Sequence, residues 1–320
     1  MTGRLACCLF LCAIYSTAAD AAGDYPDHPI KFVVPYTAGG STDLLARIVA
    51  QDLSERYGQS VVVENKPGAS GHIGAEAVAR SKADGYTLLV GAMPIHSAFA
   101  IYEHLNYDPV GDLEPVTVLG EFPNILVVHP SVEASSVEEF LALARSQPAQ
   151  LFYGTAGYGS ATHMAAELFA QVAEVQLTHV PYRGSSAAMA DLAGGQIQLM
   201  FENLPAAVPL VQDGRVRALG VTSRERSTSL PDTPAIAETV PDYGFTAWYT
   251  IAAPKGTPPK IVEKLNADID AILHSEKLAP RWQEIGVVPK GGSLEQVRGF
   301  IGAETEKWSA LIEQTGLKMK

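Results

Sequence analysis

The hydrophobic positions along the chain follow two periods. Runs rich in β-branched and aromatic residues fall at 30–34, 60–64, 86–91, 124–128, 151–155, 176–181, 197–202, 216–222 and 247–253, and they predict strands. Between them, apolar residues recur at three- and four-residue spacing over 42–57, 72–81, 136–146, 161–172, 185–193, 205–212, 258–274 and 294–315, which predicts helices. In the first helix the apolar face is Leu44, Leu45, Ile48, Val49 and Leu53. Helix-end signals agree with this pattern. Gly58 suits the position just past a helix end, Ser136-Val137-Glu138-Glu139 reads as a capping box, and Thr257 before Pro258 reads as a cap with proline at the first helical position. The proline-bearing stretches 108–123 and 223–245 read as crossings or long loops. Regular alternation of strand and helix predicts an α/β protein with largely parallel sheets. If the two stretches are crossings, residues 22–121 plus 223–320 form one lobe and residues 122–222 the other.

Two junctions in this pattern are candidate chemistry. After the first strand, Tyr36-Thr37-Ala38-Gly39-Gly40-Ser41-Thr42-Asp43 leads into a helix. After the strand at 151–155, Thr155-Ala156-Gly157-Tyr158-Gly159-Ser160-Ala161-Thr162-His163 does the same. A helix start leaves its first N–H groups without intrahelical partners, and its dipole places partial positive charge there. Glycines let the backbone approach a guest. Ser41 or Thr42 can cap the helix or offer a hydroxyl. Each turn is therefore a plausible anion site, most simply for a carboxylate, and both lie at C-terminal strand ends, where ligands bind in such folds. Either turn alone can equally be a plain strand exit; it is their pairing that suggests two half-sites of one cleft. Neither turn carries a P-loop or a dinucleotide fingerprint. Gly68-Ala69-Ser70-Gly71-His72 stops short of a nucleophile elbow, because His72 stands at the second glycine's place.

Composition narrows the picture. Arg4, the apolar run Leu5–Ile14 and Ala19-Asp20-Ala21 read as a signal peptide over 1–21, with an apolar run too short to span a bilayer. Cys7, Cys8 and Cys12 all lie within it, so the mature chain is expected to have no thiol, disulfide or sulfur metal ligand. The eight histidines show no metal-ligand spacing. The net charge of −12 argues against nucleic acid and anionic membranes as partners. It also means that an anion site must work through local dipoles.

The chain resembles the periplasmic solute-binding proteins of tripartite tricarboxylate transporters, the Bug family. The resemblance covers nearly the whole mature chain. It rests on Val34-Pro35-Tyr36 running into Gly39-Gly40-Ser41-Thr42-Asp43, on Val63-Glu64-Asn65-Lys66-Pro67-Gly68-Ala69, and on Asp84-Gly85-Tyr86-Thr87-Leu88-Leu89. Further on it rests on Gly157-Tyr158-Gly159-Ser160, Val180-Pro181-Tyr182-Arg183-Gly184, Phe201-Glu202-Asn203 and Gly256-Thr257-Pro258. It implies a type II periplasmic-binding-protein fold, with two lobes joined by a hinge and closing on an interlobe cleft. It also implies organic-acid ligands, a place in the periplasm, delivery to inner-membrane transporter subunits, no cofactor and a monomeric state. The family's binding loops map onto Thr37–Asp43 and Thr155–His163. Arg183 replaces a commoner lysine and Glu202 a commoner aspartate, so the identity of the ligand does not carry over.

The expected ligand contacts are Tyr36, Thr37, Ala38, Gly39, Gly40, Ser41, Thr42 and Asp43 from the first turn. Thr155, Ala156, Gly157, Ser160, Ala161, Thr162 and His163 are expected from the second, His96 and Ser97 from a third loop, and Glu202 from a strand end. Asp43 also fits a purely structural part in the first helical turn. Tyr36, Tyr158 and Trp248 can stack on an aromatic acid, or serve only as packing. Two other functions compete with transport: a periplasmic sensor that presents its ligand to a signalling partner, and an exported hydrolase or lyase.

Overall fold

The computed structural model describes residues 25–97, 99–102 and 104–315. The expected signal peptide lies outside the described residues. The first part of the chain forms β1 (Ile30–Val34), α1 (Ser41–Tyr57), β2 (Val61–Asn65), α2 (His72–Ala79), β3 (Thr87–Ala92) and the single turn α3 (Met93–His96). The long strand β4 (Leu113–Val128) follows, then α4 (Val137–Ser146), β5 (Phe152–Thr155), α5 (Ala161–Val172), β6 (Thr178–Pro181), α6 (Ser185–Ala193), β7 (Leu199–Asn203), α7 (Leu204–Gln212) and β8 (Arg217–Val221). The chain returns through β9 (Thr246–Pro254), α8 (Pro259–Leu273), α9 (Ala279–Ile285), β10 (Val288–Pro289) and α10 (Leu294–Thr315).

The strands join in the order β2-β1-β3-β9-β4-β7-β5-β6, with β8 and β10 also paired to β4. β1, β2 and β3 are parallel, as are β5, β6 and β7. Every pairing of β4 and β9 is antiparallel. The expectation of largely parallel sheets is therefore corrected: two parallel sets are joined by an antiparallel pair.

β4 is also the main departure from the predicted elements. Residues 113–123 are strand where prolines suggested a loop. Pro115 falls at a register irregularity against β9, and a second irregularity lies between Val118 and Gly120; proline is tolerated in a sheet at such interruptions. Through Pro123, β4 pairs with β9; from Asn124 on, it pairs with β7 and β8. At that switch the Thr222 hydroxyl binds the Asn124 N–H at 2.7 Å and the Phe245 carbonyl at 2.8 Å, tying three segments together.

Gly58 ends α1 in the left-handed conformation, as expected. Ser136 caps α4 by accepting from the Glu139 N–H, but Glu139 turns its carboxylate to Ser135, so the capping box is only half formed. Thr257 does not cap α8: its hydroxyl donates to the Pro254 carbonyl at 2.8 Å, and the helix begins one residue later than predicted.

Candidate functional site

Three helix starts converge on one cleft. Gly40 precedes α1 in an extended conformation, and no side chain caps the helix there. The expected capping by Ser41 or Thr42 is not observed, because both are already helical. The turn is braced from behind. Asp43 accepts from the Gly39 N–H at 3.0 Å, from Arg47 at 2.9 and 3.0 Å, and from Asn65 at 3.0 Å. Burial alone would raise the Asp43 carboxyl; those hydrogen bonds outweigh it and hold the group below its ordinary value.

Most of the second turn is bonded within itself. The Ser160 hydroxyl donates to the Gly157 carbonyl at 2.7 Å and accepts from the His163 N–H at 3.3 Å. Thr162 accepts from the Ala156 N–H at 2.9 Å, Thr155 from the Gly157 N–H at 3.2 Å, and the His163 ring from the Gly159 N–H at 3.1 Å. His163 stacks on His179 with ring centroids 4.3 Å apart. Burial pushes both imidazoles down to about 4, so both are neutral at pH 7.

Sequence reasoning missed the third helix start. Gly184-Ser185-Ser186 opens α6 opposite the first turn, and Ser186 Oγ lies 3.0 Å from Thr37 Oγ1. A Cβ at Gly184 would collide with Thr37. This is the same succession of glycine, hydroxyl residues and helix that marked the other two turns, so the signal was available.

The inner cavity is lined by Tyr36, Thr37, Gly40, Ser41, Thr42, Ala92, Ala156, Ser160, Ala161, Thr162, Ser185, Asn203 and Tyr249. Its volume is about 20 Å³, room for about one water molecule, so the cleft is closed. Asn203 Nδ2 reaches Ser41 Oγ and the Tyr249 hydroxyl, each at 3.0 Å. Nearer the surface, the Tyr158 carbonyl accepts from the hydroxyls of Ser70 and Tyr102. That outer space has a volume of about 330 Å³ and is faced by Tyr36, Tyr102, Tyr158, Tyr182 and Arg183.

Several expected contacts lie elsewhere. Ala38, Gly39, Asp43, Thr155 and His163 support the turns without lining the inner cavity, and Gly157 faces the outer space. His96 is buried with its Nε2 2.8 Å from Thr250 Oγ1, and Ser97 donates to the Met93 carbonyl, so the third loop is packing; β3 supplies Ala92 instead. Trp248 lies under α10, bonded to Glu304, while its neighbour Tyr249 faces the cleft, as strand alternation requires. Glu202 is fully buried and does not line the cavity.

The fold and the cleft define a two-lobed solute-binding protein. The model of the tripartite tricarboxylate transporter family receptor matches residues 45–317, and the chain belongs to that family, whose receptors are periplasmic. It is 36% identical to protein BugT of Bordetella pertussis across 100% of this chain and 99% of that one. Among solved structures, Rpa4515 of R. palustris with adipate is 41% identical, with a TM-score of 0.89 over 91% of this chain and 98% of that one. MatC of Rhodopseudomonas palustris with bound malate is 30% identical, with a TM-score of 0.85 over 90% of this chain and 100% of that one.

Proposed function

We propose that this protein captures a small organic acid in the periplasm and delivers it to the membrane subunits of a tripartite carboxylate transporter. The observation that carries the reading is the character of the inner cavity. Its lining holds no lysine, arginine or histidine, yet three helix starts and the hydroxyls of Thr37, Ser41, Thr42, Ser160 and Ser185 face it. Such a site favours an anion through backbone dipoles and hydrogen bonds rather than through a counter-charge. The relatives solved with adipate and malate support a carboxylate.

The ligand carboxylate sits against the open N–H groups of α1, and the rest of the molecule extends toward the tyrosine-lined outer space. Closure brings α5 and α6 onto it. The hinge lies where β4 changes partners, between Pro123 and Asn124, and in the returning segment 222–246. Of the described residues, one lobe then comprises 25–123 and 246–315 and the other 124–222, with residues 1–21 removed on export.

No bond is made or broken. Ser41 Oγ is engaged by Asn203 and Tyr249 rather than by a histidine, and Ser160 serves the turn itself. Both arrangements favour binding over nucleophilic catalysis. Calorimetry with adipate, malate and benzoate, beside a neutral sugar and an amine as controls, tests the reading. Saturable binding confined to acids, with no product in the recovered ligand, is expected. Binding of the neutral or cationic controls alone, or turnover of an acid, would overturn it.

A further inference from the structure

Glu202, the penultimate residue of β7, has none of its surface exposed, and neither carboxyl oxygen meets a partner at full hydrogen-bond geometry. Its polar neighbours are the Ser185 hydroxyl on α6 and the Asn203 N–H on its own strand, and the Tyr249 phenol of β9 shares its surroundings. Among the described residues, no lysine, arginine or histidine acts on it. Burial therefore pushes the carboxyl up to about 8, against the lesser pull of Asn203 and Ser185. Ser185 both acts on this group and lines the inner cavity, which Glu202 itself does not.

A serine hydroxyl has one proton to donate and lone pairs to accept with. An ionised Glu202 would draw that proton toward itself and leave the serine lone pairs facing the cleft, where they would repel an anion. A neutral Glu202 has its own proton to donate to Ser185 Oγ, which frees the Ser185 O–H for the ligand.

We propose that Glu202 is held as a neutral acid that donates to Ser185 and thereby turns the Ser185 hydroxyl into a donor for the ligand carboxylate. The inference rests on the carboxylate reading above. Glu202 is then a positioning residue, acting through Ser185 together with the N–H groups at the start of α6. Binding couples to its proton: once the free protein has lost it, each ligand bound takes one proton from solution, and affinity falls about tenfold per pH unit.

Two measurements test this. Infrared difference spectra between wild type and Glu202→Gln should show the carbonyl stretch of a protonated carboxylic acid at pH 7 in the wild type alone, fading above pH 8. Calorimetry with adipate and with malate from pH 6 to 10 should show wild-type affinity level at first and then falling. Glu202→Met should weaken binding at least tenfold at pH 7. Glu202→Gln, whose amide also donates, should recover to within about threefold of wild type and stay level across the range. Melting curves confirm that each variant is folded. Absence of the infrared band, a level wild-type profile, or a Gln variant no better than Met would each overturn the proposal. If the band is present but neither acid binds at any pH, the carboxylate reading fails and takes the Ser185 relay with it.

Discussion

At the first turn Gly40 precedes α1, no side chain caps the helix, and the bracing bonds from Asp43 to Gly39, Arg47 and Asn65 sit behind the loop. At the second turn Ser160 caps α5, and Thr155, Thr162 and His163 take the nearby N–H groups. The two segments are alike in sequence and finished in opposite ways. The first is braced from behind and left uncapped; the second bonds the N–H groups of Ala156, Gly157, Gly159 and His163 internally and offers the other side one carbonyl, that of Tyr158. A strand–glycine–hydroxyl–helix junction is thus a shared frame that different side chains finish in different ways.

The contrast is sharpest in glycine variants. Gly40→Val should abolish adipate binding, by more than 100-fold, with the melting temperature near wild type. Gly40 has φ −84, which any residue adopts, while the added Cβ would lie 3.2 Å from Ser185 Oγ and hold the cleft open. Gly157→Val should also lose binding, but it should cost about 1–3 kcal/mol of stability as well, because Gly157 has φ +124. Calorimetry beside denaturant melts separates the two. Normal affinity in Gly40→Val would place the ligand elsewhere.

Serine variants come next. Ser41→Ala should weaken binding by about 1.5–3 kcal/mol if its hydroxyl meets a carboxylate, with little change in stability. Ser160→Ala should instead lose about 0.5–2 kcal/mol of stability, as helix caps do, with the smaller change in affinity. The reverse order in the same two assays would exchange the parts assigned to the turns.

Acid should distinguish the turns by a comparable amount. His163 titrates near 6.5 in the unfolded chain but only near 4 in the fold. The unfolded state therefore binds the extra proton in that window, and stability falls as pH drops from 6.5 toward 4, by about 2 kcal/mol at pH 5 from this one group. Amides of residues 156–160 should lose hydrogen-exchange protection over this range before those of residues 37–43, whose brace is an ion pair. His163→Gln should remove its share of the response while His179, His72 and His96, each also held near 4 by burial, keep theirs; if both turns loosen together in wild type, the acid sensitivity belongs to the whole molecule.

The smallest effect expected is on closure. Tyr102→Phe removes one bond to the Tyr158 carbonyl and should shift the free protein toward the open form by about 1 kcal/mol. A larger radius of gyration in solution scattering without ligand, reversed by saturating adipate, would show it. No change in either state would mean that the outer contacts do not hold the lobes.

Local pattern alone determined most elements and both candidate turns, because periodicity, helix-end glycines and the β-branched runs are properties of neighbouring residues. It also marked Gly40, Ser41, Thr42, Ser160 and Thr162, all of which line the cavity. Tertiary structure decided the rest. Prolines in 113–123 spoke for a loop, and only pairing with β9 made that stretch a strand. Whether Trp248 met the cleft depended on which face of β9 turned toward it, and His96 is packing because Thr250 stands beside it. Asp43 became a brace because Asn65, 22 residues away, was brought to it. Glu202 shows the limit most clearly. Its side chain is an ordinary carboxylate in the sequence, and only full burial without a counter-charge pushes its carboxyl up.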